Sequence, residues 1–355
     1  MPMNRFDQRL LFSPVITAKI YSFIAKIDAI KGQWKTTNTL SPQMISRLKT
    51  SVLITSTGAS TRIEGSKLSD IQIQDLLSKI KIKTLKTRDE QEVAGYLELL
   101  KNMFDSWKKL HFSESLILGF HKELLKYSAK DERHKGHYKI DSNRVEARNV
   151  QGELVGIVFD PTAPYLVKKE MQELVDWTQK KLATQQTHPL LVVANFIFEF
   201  LAIHPFTDGN GRASRILTNF LLLQSGYEYI PYISHEKIIE DNKAEYYVAL
   251  NKTQTTWKKK KEDISAWVLF LLECILKQSE LALKLIIQES VEDFLSIKQL
   301  QVWEFALSHE TFKRSEVIEG TKLKARTVEQ AIKKLLNMNK IKKFGQGKAT
   351  RYKVR

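Results

Sequence analysis

The longest apolar run of this 355-residue chain lies at residues 190–203, and it constrains the fold more than any other segment. Only Asn195 and Glu199 interrupt it. The run is too long for a typical strand of about 4 to 8 residues. It is also shorter than the roughly 20 apolar residues that a membrane span needs. We therefore expect a buried core helix that leads into the polar segment after it.

That polar segment, residues 204–215, reads HPFTDGNGRASR. Because glycine accepts positive φ and close approach, the turn at residues 209–211 lets consecutive backbone N–H groups converge on an anion. A helix is expected to begin near Arg212, and its amino terminus adds the positive end of a helix dipole. Arg212 and Arg215 can share one helical face, where guanidinium groups bind phosphate oxygens in pairs. The segment predicts a phosphate site.

Two further side chains add chemistry to this site. Asp208 offers carboxylate oxygens to a divalent metal, and Mg²⁺ is the fitting ion because it binds through one or two carboxylates plus nucleotide phosphates. His204 has an unperturbed pKa of about 6.5, so its neutral imidazole can accept a proton from an attacking hydroxyl near neutral pH. The pattern indicates a base beside a metal-bound phosphate.

The same twelve residues resemble the signature of the Fic family, which is His-Pro-Phe, any residue, Asp or Glu, Gly-Asn-Gly-Arg, two residues and Arg. Every defined position matches. The resemblance implies a mainly α fold, a Fic-type helical bundle with a β-hairpin flap, that moves AMP from ATP onto a Ser, Thr or Tyr hydroxyl of a protein. It implies that His204 is the base and Asp208 the Mg²⁺ ligand. It also implies that Gly209, Asn210 and Gly211 form the α/β-phosphate cradle, and that Arg212 and Arg215 clamp the β- and γ-phosphates.

A dinucleotide-binding fingerprint is the nearest competing interpretation, because Gly209-Asn210-Gly211 begins one. That fingerprint must follow a first strand, and the apolar run before residue 204 is too long for a strand. In addition, Ser214 stands where the third glycine belongs. Both departures favour the phosphate-transfer interpretation.

Composition indicates an ordinary globular protein of at least two domains, with 43% hydrophobic and 27% charged residues. The single cysteine, Cys274, can form no intrachain disulfide, and its apolar surroundings predict a buried thiol in a reducing compartment. Ser13-Pro14 breaks the apolar triplet at residues 10–12, so no secretory signal is expected. We expect a cytoplasmic protein without membrane association.

Proline and glycine are scarce, with 8 and 14 residues, so helices should dominate. We predict helices at Ser41–Ser56, Asp89–Lys108 and Tyr165–Lys181, the second of them containing Gly95. Tyr138–Phe159 is the exception, because its β-branched residues surround a turn candidate at Gln151-Gly152. This segment is expected to form a hairpin.

The hairpin lies where Fic proteins carry a flap over the active site, and the flap would include Val155, Gly156 and Ile157. Its lead-in, residues 136–139, resembles the family's Gly-x-aromatic-Arg pattern with Lys139 in place of Arg, so no role is assigned to Lys139. A flap can align an extended target segment through backbone hydrogen bonds. The alternative is a hairpin that merely covers the core.

Tyr246 and Tyr247 resemble the family's Tyr-Tyr segment near the adenine, where a ring can stack on the base. The alternative is that paired tyrosines on an amphipathic helix belong to the core. Gln254 stands where the family often has Asn, and that contact is left open.

Upstream, residues 60–65 read STRIEG and match the inhibitory Ser/Thr-x-x-x-Glu-Gly/Asn motif of many Fic proteins. The resemblance implies that Glu64, with Ser60, keeps the enzyme self-inhibited. Glu64 can pair with Arg215, which would otherwise orient the γ-phosphate, and its charge also repels the triphosphate.

The last segment is strongly basic. Residues 290–355 contain 15 Lys and Arg against 7 Asp and Glu, a net +8 out of +16 for the chain. We predict helices at Phe312–Ile318 and Ala325–Asn337 and two strands within Ile341–Val354, an order that resembles a winged helix-turn-helix. Thr327, Gln330 and Lys334 would lie on the recognition helix, and Lys348 and Arg351 on the wing. Such domains also bind proteins, so DNA binding is one of two alternatives.

Two interpretations follow. The first is a self-inhibited protein adenylyltransferase that uses ATP and Mg²⁺ on a target protein or on itself. The second is a DNA-binding regulator whose Fic core senses nucleotide. We expect an N-terminal helical region at 1–100 with the inhibitory motif, a catalytic core at 101–285 and a winged-helix-like domain at 290–355. Dimerisation is left open.

Overall fold

A computed structural model describes residues 4–37, 42–79, 85–143, 145–148, 154–292, 295–345, 347 and 350–355. The chain divides into two compact units, residues 1–283 and 284–355. Both segments that we predicted as an N-terminal region and a catalytic core lie within the first unit. The predicted boundary near residues 285–290 falls a few residues after the division between the units.

The described residues form fifteen α-helices and four short strands, so the prediction of a mainly α fold is confirmed. The helices are α1 Arg5–Gln8, α2 Pro14–Thr37, α3 Pro42–Ile63, α4 Asp70–Lys79, α5 Arg88–Ser106, α6 Glu114–Leu124, α7 Pro164–Thr184, α8 Pro189–Ile203, α9 Asn210–Gln224, α10 His235–Asp241, α11 Lys243–Gln254, α12 Ser265–Glu292, α13 Ile297–Leu307, α14 Arg314–Thr321 and α15 Ala325–Asn337. The strands are β1 Val145–Arg148, β2 Leu154–Phe159, β3 Ile341–Phe344 and β4 Arg351–Val354. None of the helices in the described part of the chain is both long enough and apolar enough to cross a lipid bilayer.

The apolar run forms helix α8, which is buried along almost its whole length between α7 and α9. Its two polar residues are satisfied by the amino-terminal helix α1 and the residue after it. Glu199 is fully buried and accepts hydrogen bonds from Arg5 and Arg9, and the Asn195 side chain accepts one from Arg9. A buried carboxylate is tolerated when it is paired in this way. The interruptions of the apolar run therefore fix α1 to the core helix.

The predicted hairpin is present as the antiparallel pair β1 and β2, which places Glu146 opposite Ile157 and Ala147 opposite Gly156. The pairing is irregular at both ends of β1. The predicted turn at Gln151-Gly152 lies outside the described residues. The hairpin enters helix α7 through Pro164, which occupies the first turn, where a missing N–H costs nothing. The hairpin therefore leads directly into the helix that packs against α8.

Gly95 lies where helices α5 and α6 make a close contact. A Cβ atom on Gly95 would lie 2.1 Å from the carbonyl oxygen of Leu124, the last residue of α6. The predicted helix Asp89–Lys108 tolerates this glycine because Thr87 and Glu90 form a capping box at its amino terminus. The glycine is thus required by packing between two helices.

We expect Gly95→Ala to lower the free energy of unfolding by about 1 to 3 kcal/mol, because the added methyl group forces the two helices apart. Gly119→Ala is the matched control, since a Cβ at that helical position would meet no atom within 4 Å beyond its chain neighbours and the backbone of its own helix. Alanine there should be neutral or stabilise by up to about 1 kcal/mol. Urea unfolding followed by circular dichroism checks both values. Equal effects of the two substitutions would contradict the packing argument.

The second unit has its own apolar core around Trp303, Phe312, Val328 and Leu335. Helix α15 has the predicted bounds, and β3 and β4 are the two strands predicted within residues 341–354, which pair antiparallel. The predicted helix Phe312–Ile318 is displaced, because Phe312 pairs as a β-bridge with Tyr352 and α14 begins only at Arg314. Phe312 is fully buried, and its ring stacks on that of Tyr352.

Candidate active site

The loop between α8 and α9 is bracketed by two residues in the left-handed region. His204 ends α8 with φ of 52°, and Gly209 precedes α9 with φ of 83°. Glycine adopts this conformation freely, whereas it is uncommon for histidine. Because Gly209 makes the turn, α9 begins at Asn210 and not near Arg212 as we predicted. The first N–H groups of α9 therefore belong to the glycine-rich turn itself.

Side chains from inside and outside the motif hold this loop. The Asn210 side chain accepts from the Phe206 N–H at 2.9 Å and donates to the Phe206 carbonyl at 2.8 Å. The side chain is thus engaged within the loop, so the contribution of Asn210 to the predicted phosphate cradle would come from its backbone N–H. His121, from α6, accepts from the N–H of Gly136 through Nδ1, so its Nε2 donates to the Asp208 carbonyl at 3.0 Å. These contacts fix the loop on both sides of Asp208.

His121 is a residue that the sequence reasoning missed. Its ring is fully buried and stacks on Phe206 with 3.7 Å between ring centroids. Burial lowers the pKa of His121 to about 4, so the imidazole stays neutral and keeps one donor and one acceptor. No local pattern marks a lone histidine on an amphipathic helix, and only the fold brings it to residue 208.

Asp208 and Arg212 take part in a closed ring of four charges. Arg212 contacts Asp208 at 2.9 Å and Glu92 at 2.9 Å, and Arg88 contacts Asp208 at 3.0 Å and Glu92 at 2.6 Å. Burial opposes ionisation of Asp208, but Arg212, the Gly209 N–H and Arg88 together lower the pKa of its carboxyl group. Arg88 and Glu92 lie on α5, and no sequence motif marks them. The ring keeps the carboxylate of Asp208 ionised.

Arg215 lies against both residues of the predicted inhibitory motif. Its Nε donates to Ser60 Oγ at 2.7 Å, and one terminal nitrogen contacts the Ser60 carbonyl at 3.0 Å and Glu64 Oε1 at 2.7 Å. Burial alone would lower the pKa of Arg215, but Glu64 together with Tyr246 and Tyr96 raises it above the ordinary value. The guanidinium group is therefore a permanent cation engaged by residues from α3 and the turn after it.

Glu64 also covers the glycine turn. A Cβ atom on Gly211 would lie 2.2 Å from Oε1 of Glu64, so the carboxylate rests directly on the backbone of the turn. The helix that carries the motif is anchored against α10, where Ser56 donates to Ser234 and Arg62 pairs with Glu240. These anchoring contacts bring Ser60 and Glu64 to Arg215, which lies about 150 residues later in the sequence.

The imidazole of His204 is partly buried at the edge of this arrangement. Its Nδ1 lies 3.4 Å from the Leu201 carbonyl, which can only accept, so Nε2 carries the free lone pair. Burial and then the charge of Lys139 lower the pKa of His204 to about 4, whereas Glu64 and Asp208 act in the opposite direction. The imidazole is therefore neutral at physiological pH, as a proton acceptor requires.

The remaining predicted site residues are the paired tyrosines and the three flap residues. Tyr246 is 5% exposed and packs edge-on against Trp267 and Phe270, so its ring belongs to the core, whereas Tyr247 is 39% exposed. Val155, Gly156 and Ile157 all lie in β2, which runs beside α11.

Comparison with known proteins places this site in a family. Residues 111–222 match the Fic/DOC family. The protein adenylyltransferase fic-1 of Caenorhabditis briggsae is 30% identical over 194 residues, 53% of this chain and 34% of that protein. The protein adenylyltransferase Fic of Nematostella vectensis is 32% identical over 114 residues, 32% of this chain and 24% of that protein. This chain thus spans about a third or less of these curated relatives.

The fold is similar to that of a solved Fic family protein from Desulfovibrio desulfuricans G20. The two share a TM-score of 0.60 and 20% identity, with 98% of each chain covered. At this identity the likeness concerns the fold alone. The family match and the complete motif at residues 204–215 agree with this likeness of fold, and residues 111–222 therefore match a Fic domain.

Proposed function

We propose that this chain is a protein adenylyltransferase, which transfers AMP from ATP to a Ser, Thr or Tyr hydroxyl of a target protein or of itself. The observation that carries the proposal is the neutral imidazole of His204 beside a glycine turn and two buried arginines, Arg212 and Arg215. The names of the curated relatives support this reaction.

The residues present fit ATP with Mg²⁺. Asp208 is ionised, and its side chain is 36% exposed, so its carboxylate is accessible from solvent. The described residues contain no cluster of three or more His, Cys, Asp or Glu that could hold a metal by itself. A Mg²⁺ ion that shares one carboxylate with nucleotide phosphates needs no such cluster, and it would neutralise charge on the triphosphate. Arg212, Arg215 and the turn amides would bind the phosphate oxygens.

In the proposed reaction, Nε2 of His204 takes the proton from the target hydroxyl as that oxygen attacks the α-phosphorus. A new oxygen–phosphorus bond forms, the bond between the α-phosphorus and the bridging oxygen breaks, and pyrophosphate leaves with the electron pair. The β2 edge, including residues 155–157, would align the target backbone beside the base. Tyr247 has the more exposed of the two tyrosine rings for an adenine contact.

We further propose that Glu64 inhibits this reaction. It occupies a terminal nitrogen of Arg215 at 2.7 Å and rests on Gly211, so it holds a negative charge where phosphate oxygens would bind. Inhibition of this kind leaves the catalytic residues intact and misaligns the nucleotide. Removal of the carboxylate should therefore release activity.

The experiment that tests the proposed function is incubation of the Glu64→Gly variant with Mg²⁺ and ATP labelled at the α-phosphorus, alone and with a cell lysate. We expect protein-bound label that mass spectrometry identifies as AMP on a hydroxyl side chain. ATP labelled at the γ-phosphorus should give no label. Absence of α-label from a folded variant that binds ATP would refute the proposal.

A second candidate function concerns the second unit. Five basic residues of this unit are exposed and form no ion pair within the described residues. They lie at the amino terminus and on the outer face of α15 and on β3, and they are Lys324, Arg326, Lys333, Lys342 and Lys343. Of the residues named from sequence, Arg351 pairs with Glu316 and Lys334 contacts Gln299, while Lys348 lies outside the described residues. The exposed five residues favour binding to the phosphate backbone of duplex DNA.

We expect the full chain to bind duplex DNA with an affinity that falls steeply with salt. Replacing Lys324, Arg326 and Lys333 together by alanine should weaken binding at least about tenfold and reduce the salt slope by about one for each phosphate-binding side chain that is removed. Lys259, Lys260 and Lys261, all exposed in the first unit, provide a control with the same change of charge. Gel-shift titrations measure both triple variants. An equal loss of affinity in the control would assign the binding to net charge and not to α15.

A further inference from the structure

Lys139 precedes the flap, and the sequence analysis assigned it no role. The residue is 4% exposed. Its backbone N–H donates to the Pro205 carbonyl at 2.9 Å. Its ammonium group donates to Asn143 Oδ1 at 2.6 Å and to the Ile203 carbonyl at 3.4 Å. A single side chain and its own backbone thus contact the residues on both sides of His204.

Asn143 extends these contacts by one residue. Its side-chain nitrogen donates to the Phe206 carbonyl at 2.8 Å, while its oxygen accepts from Lys139. The segment before the flap therefore contacts residues 203, 205 and 206 in succession. His204 lies between them with φ of 52°, a conformation that an ordinary L-residue keeps only when its surroundings impose it. The contacts from Lys139 and Asn143 supply such surroundings.

The charge of Lys139 has no partner at ion-pair distance within the described part of the chain. Asp160 and Glu170 face it from farther away, and Lys258, itself paired with Glu170 at 2.6 Å, opposes its charge. Burial lowers the pKa of Lys139 to about 8, so the ammonium form is present at neutral pH and is lost above about pH 8. Burial of a lysine at more than ion-pair distance from the described carboxylates costs stability, which favours a functional reason for its position.

The ammonium group lies at the carboxyl-terminal end of α8. The unpaired carbonyls and the negative end of the helix dipole favour a cation at such a place. The same positive charge acts on His204, where it is the second largest influence after burial. Glu64 and Asp208 act on that imidazole in the opposite direction. Lys139 therefore contacts the end of α8 from the segment before the flap, and its charge acts on His204.

We propose that Lys139 is a positioning residue for His204, which fixes the backbone on both sides of the histidine and holds a positive charge beside its imidazole. The effect on AMP transfer rests on the proposed function of His204 as the base. The effect on the imidazole itself does not, so the two can be measured separately.

The test compares Lys139→Met, which keeps the length of the side chain without its charge, with Lys139→Arg, which keeps the charge. Nuclear magnetic resonance of histidine-labelled protein follows the His204 ring against pH, with His204→Asn identifying its signal. In Lys139→Met we expect the pKa of His204 to rise toward the ordinary value of about 6.5, and in Lys139→Arg to stay near that of the parent. An unchanged His204 titration in a folded Lys139→Met variant would overturn the proposal.

AMP transfer is measured in parallel, with Glu64→Gly as the common background. We expect Lys139→Met to lower kcat roughly tenfold to a hundredfold, to move the acid limb of the pH profile upward and to leave the KM for ATP within about twofold. Lys139→Arg should restore most of kcat. Equal losses of activity in both variants, together with equal falls in Tm, would reduce Lys139 to a packing residue. The expected shift of the His204 titration in a chain that transfers no AMP would refute the proposed function and leave the positioning intact.

Discussion

Replacing His204 by alanine should lower AMP transfer by roughly 10²- to 10⁴-fold, the usual contribution of a general base. ATP affinity should stay within about twofold, because the imidazole would accept a proton from the target hydroxyl and the proposed phosphate contacts come from the glycine turn and α9. Transfer is measured with α-labelled ATP in the Glu64→Gly background, and affinity by calorimetry. The large kinetic loss without a binding loss is the expected signature of a base.

Two controls make this result specific. His204→Asn removes the base but tolerates the left-handed backbone better than alanine, so a matching loss excludes distortion of the loop as the cause. His111→Ala removes an exposed histidine elsewhere in the Fic domain and should leave transfer unchanged. If transfer by both His204 variants stayed within about tenfold of the parent, His204 would not be the base.

Glu64→Gly should raise AMP transfer by about ten- to a hundredfold. Loss of the carboxylate frees a terminal nitrogen of Arg215 for one charge-assisted contact to phosphate, worth roughly 1.5 to 3 kcal/mol. It also clears the backbone of Gly211, against which Oε1 of Glu64 rests. Glu64→Gln, which removes the charge but keeps most of the bulk, should give a smaller gain. Rates of self-modification for the parent and both variants give the comparison.

The double variant Glu64→Gly with Arg215→Ala separates this explanation from a general loosening of the site. If the gain comes from the freed guanidinium group, the double variant should lose it and fall to about the rate of Arg215→Ala alone. A gain that persists without Arg215 would place the effect of Glu64 elsewhere. An unchanged or lower rate for Glu64→Gly in a folded protein would refute inhibition by Glu64.

Local sequence patterns were sufficient for the parts of this fold that depend on short-range chemistry. The apolar run at residues 190–203 indicated a buried helix, and the β-branched residues around a turn candidate within Tyr138–Phe159 indicated a hairpin. The start of α9 was misplaced by two residues, because Gly209 itself adopts the turn that we expected to continue to Arg212. Phe312 was wrongly assigned to a helix. It pairs with Tyr352, which lies in a strand 40 residues later, and the local sequence pattern does not reveal that contact.

The supporting contacts of the site could not be derived in this way. His121 contacts residue 208, Glu92 contacts Arg212 and Lys139 contacts Ile203, each from another helix or loop far away in the sequence. No periodicity marks such residues, because their side chains have ordinary neighbours along the chain. Tyr246 illustrates the converse, since a pair of tyrosines is visible in the sequence but only packing on Trp267 distinguishes a core ring from an exposed one.

Ser60 and Glu64 contact the same guanidinium group but differ in exposure. Ser60 lies inside α3 and is fully buried, whereas Glu64 lies just after the helix ends at Ile63, with its side chain 36% exposed and Gly65 in the left-handed region next to it. The carboxylate can therefore leave Arg215 by rotating about its own side-chain bonds, on a timescale of roughly picoseconds to nanoseconds, while the helix stays in place. Under the proposed inhibition, release of Arg215 would need only this side-chain rotation, without unfolding, cleavage or a second protein.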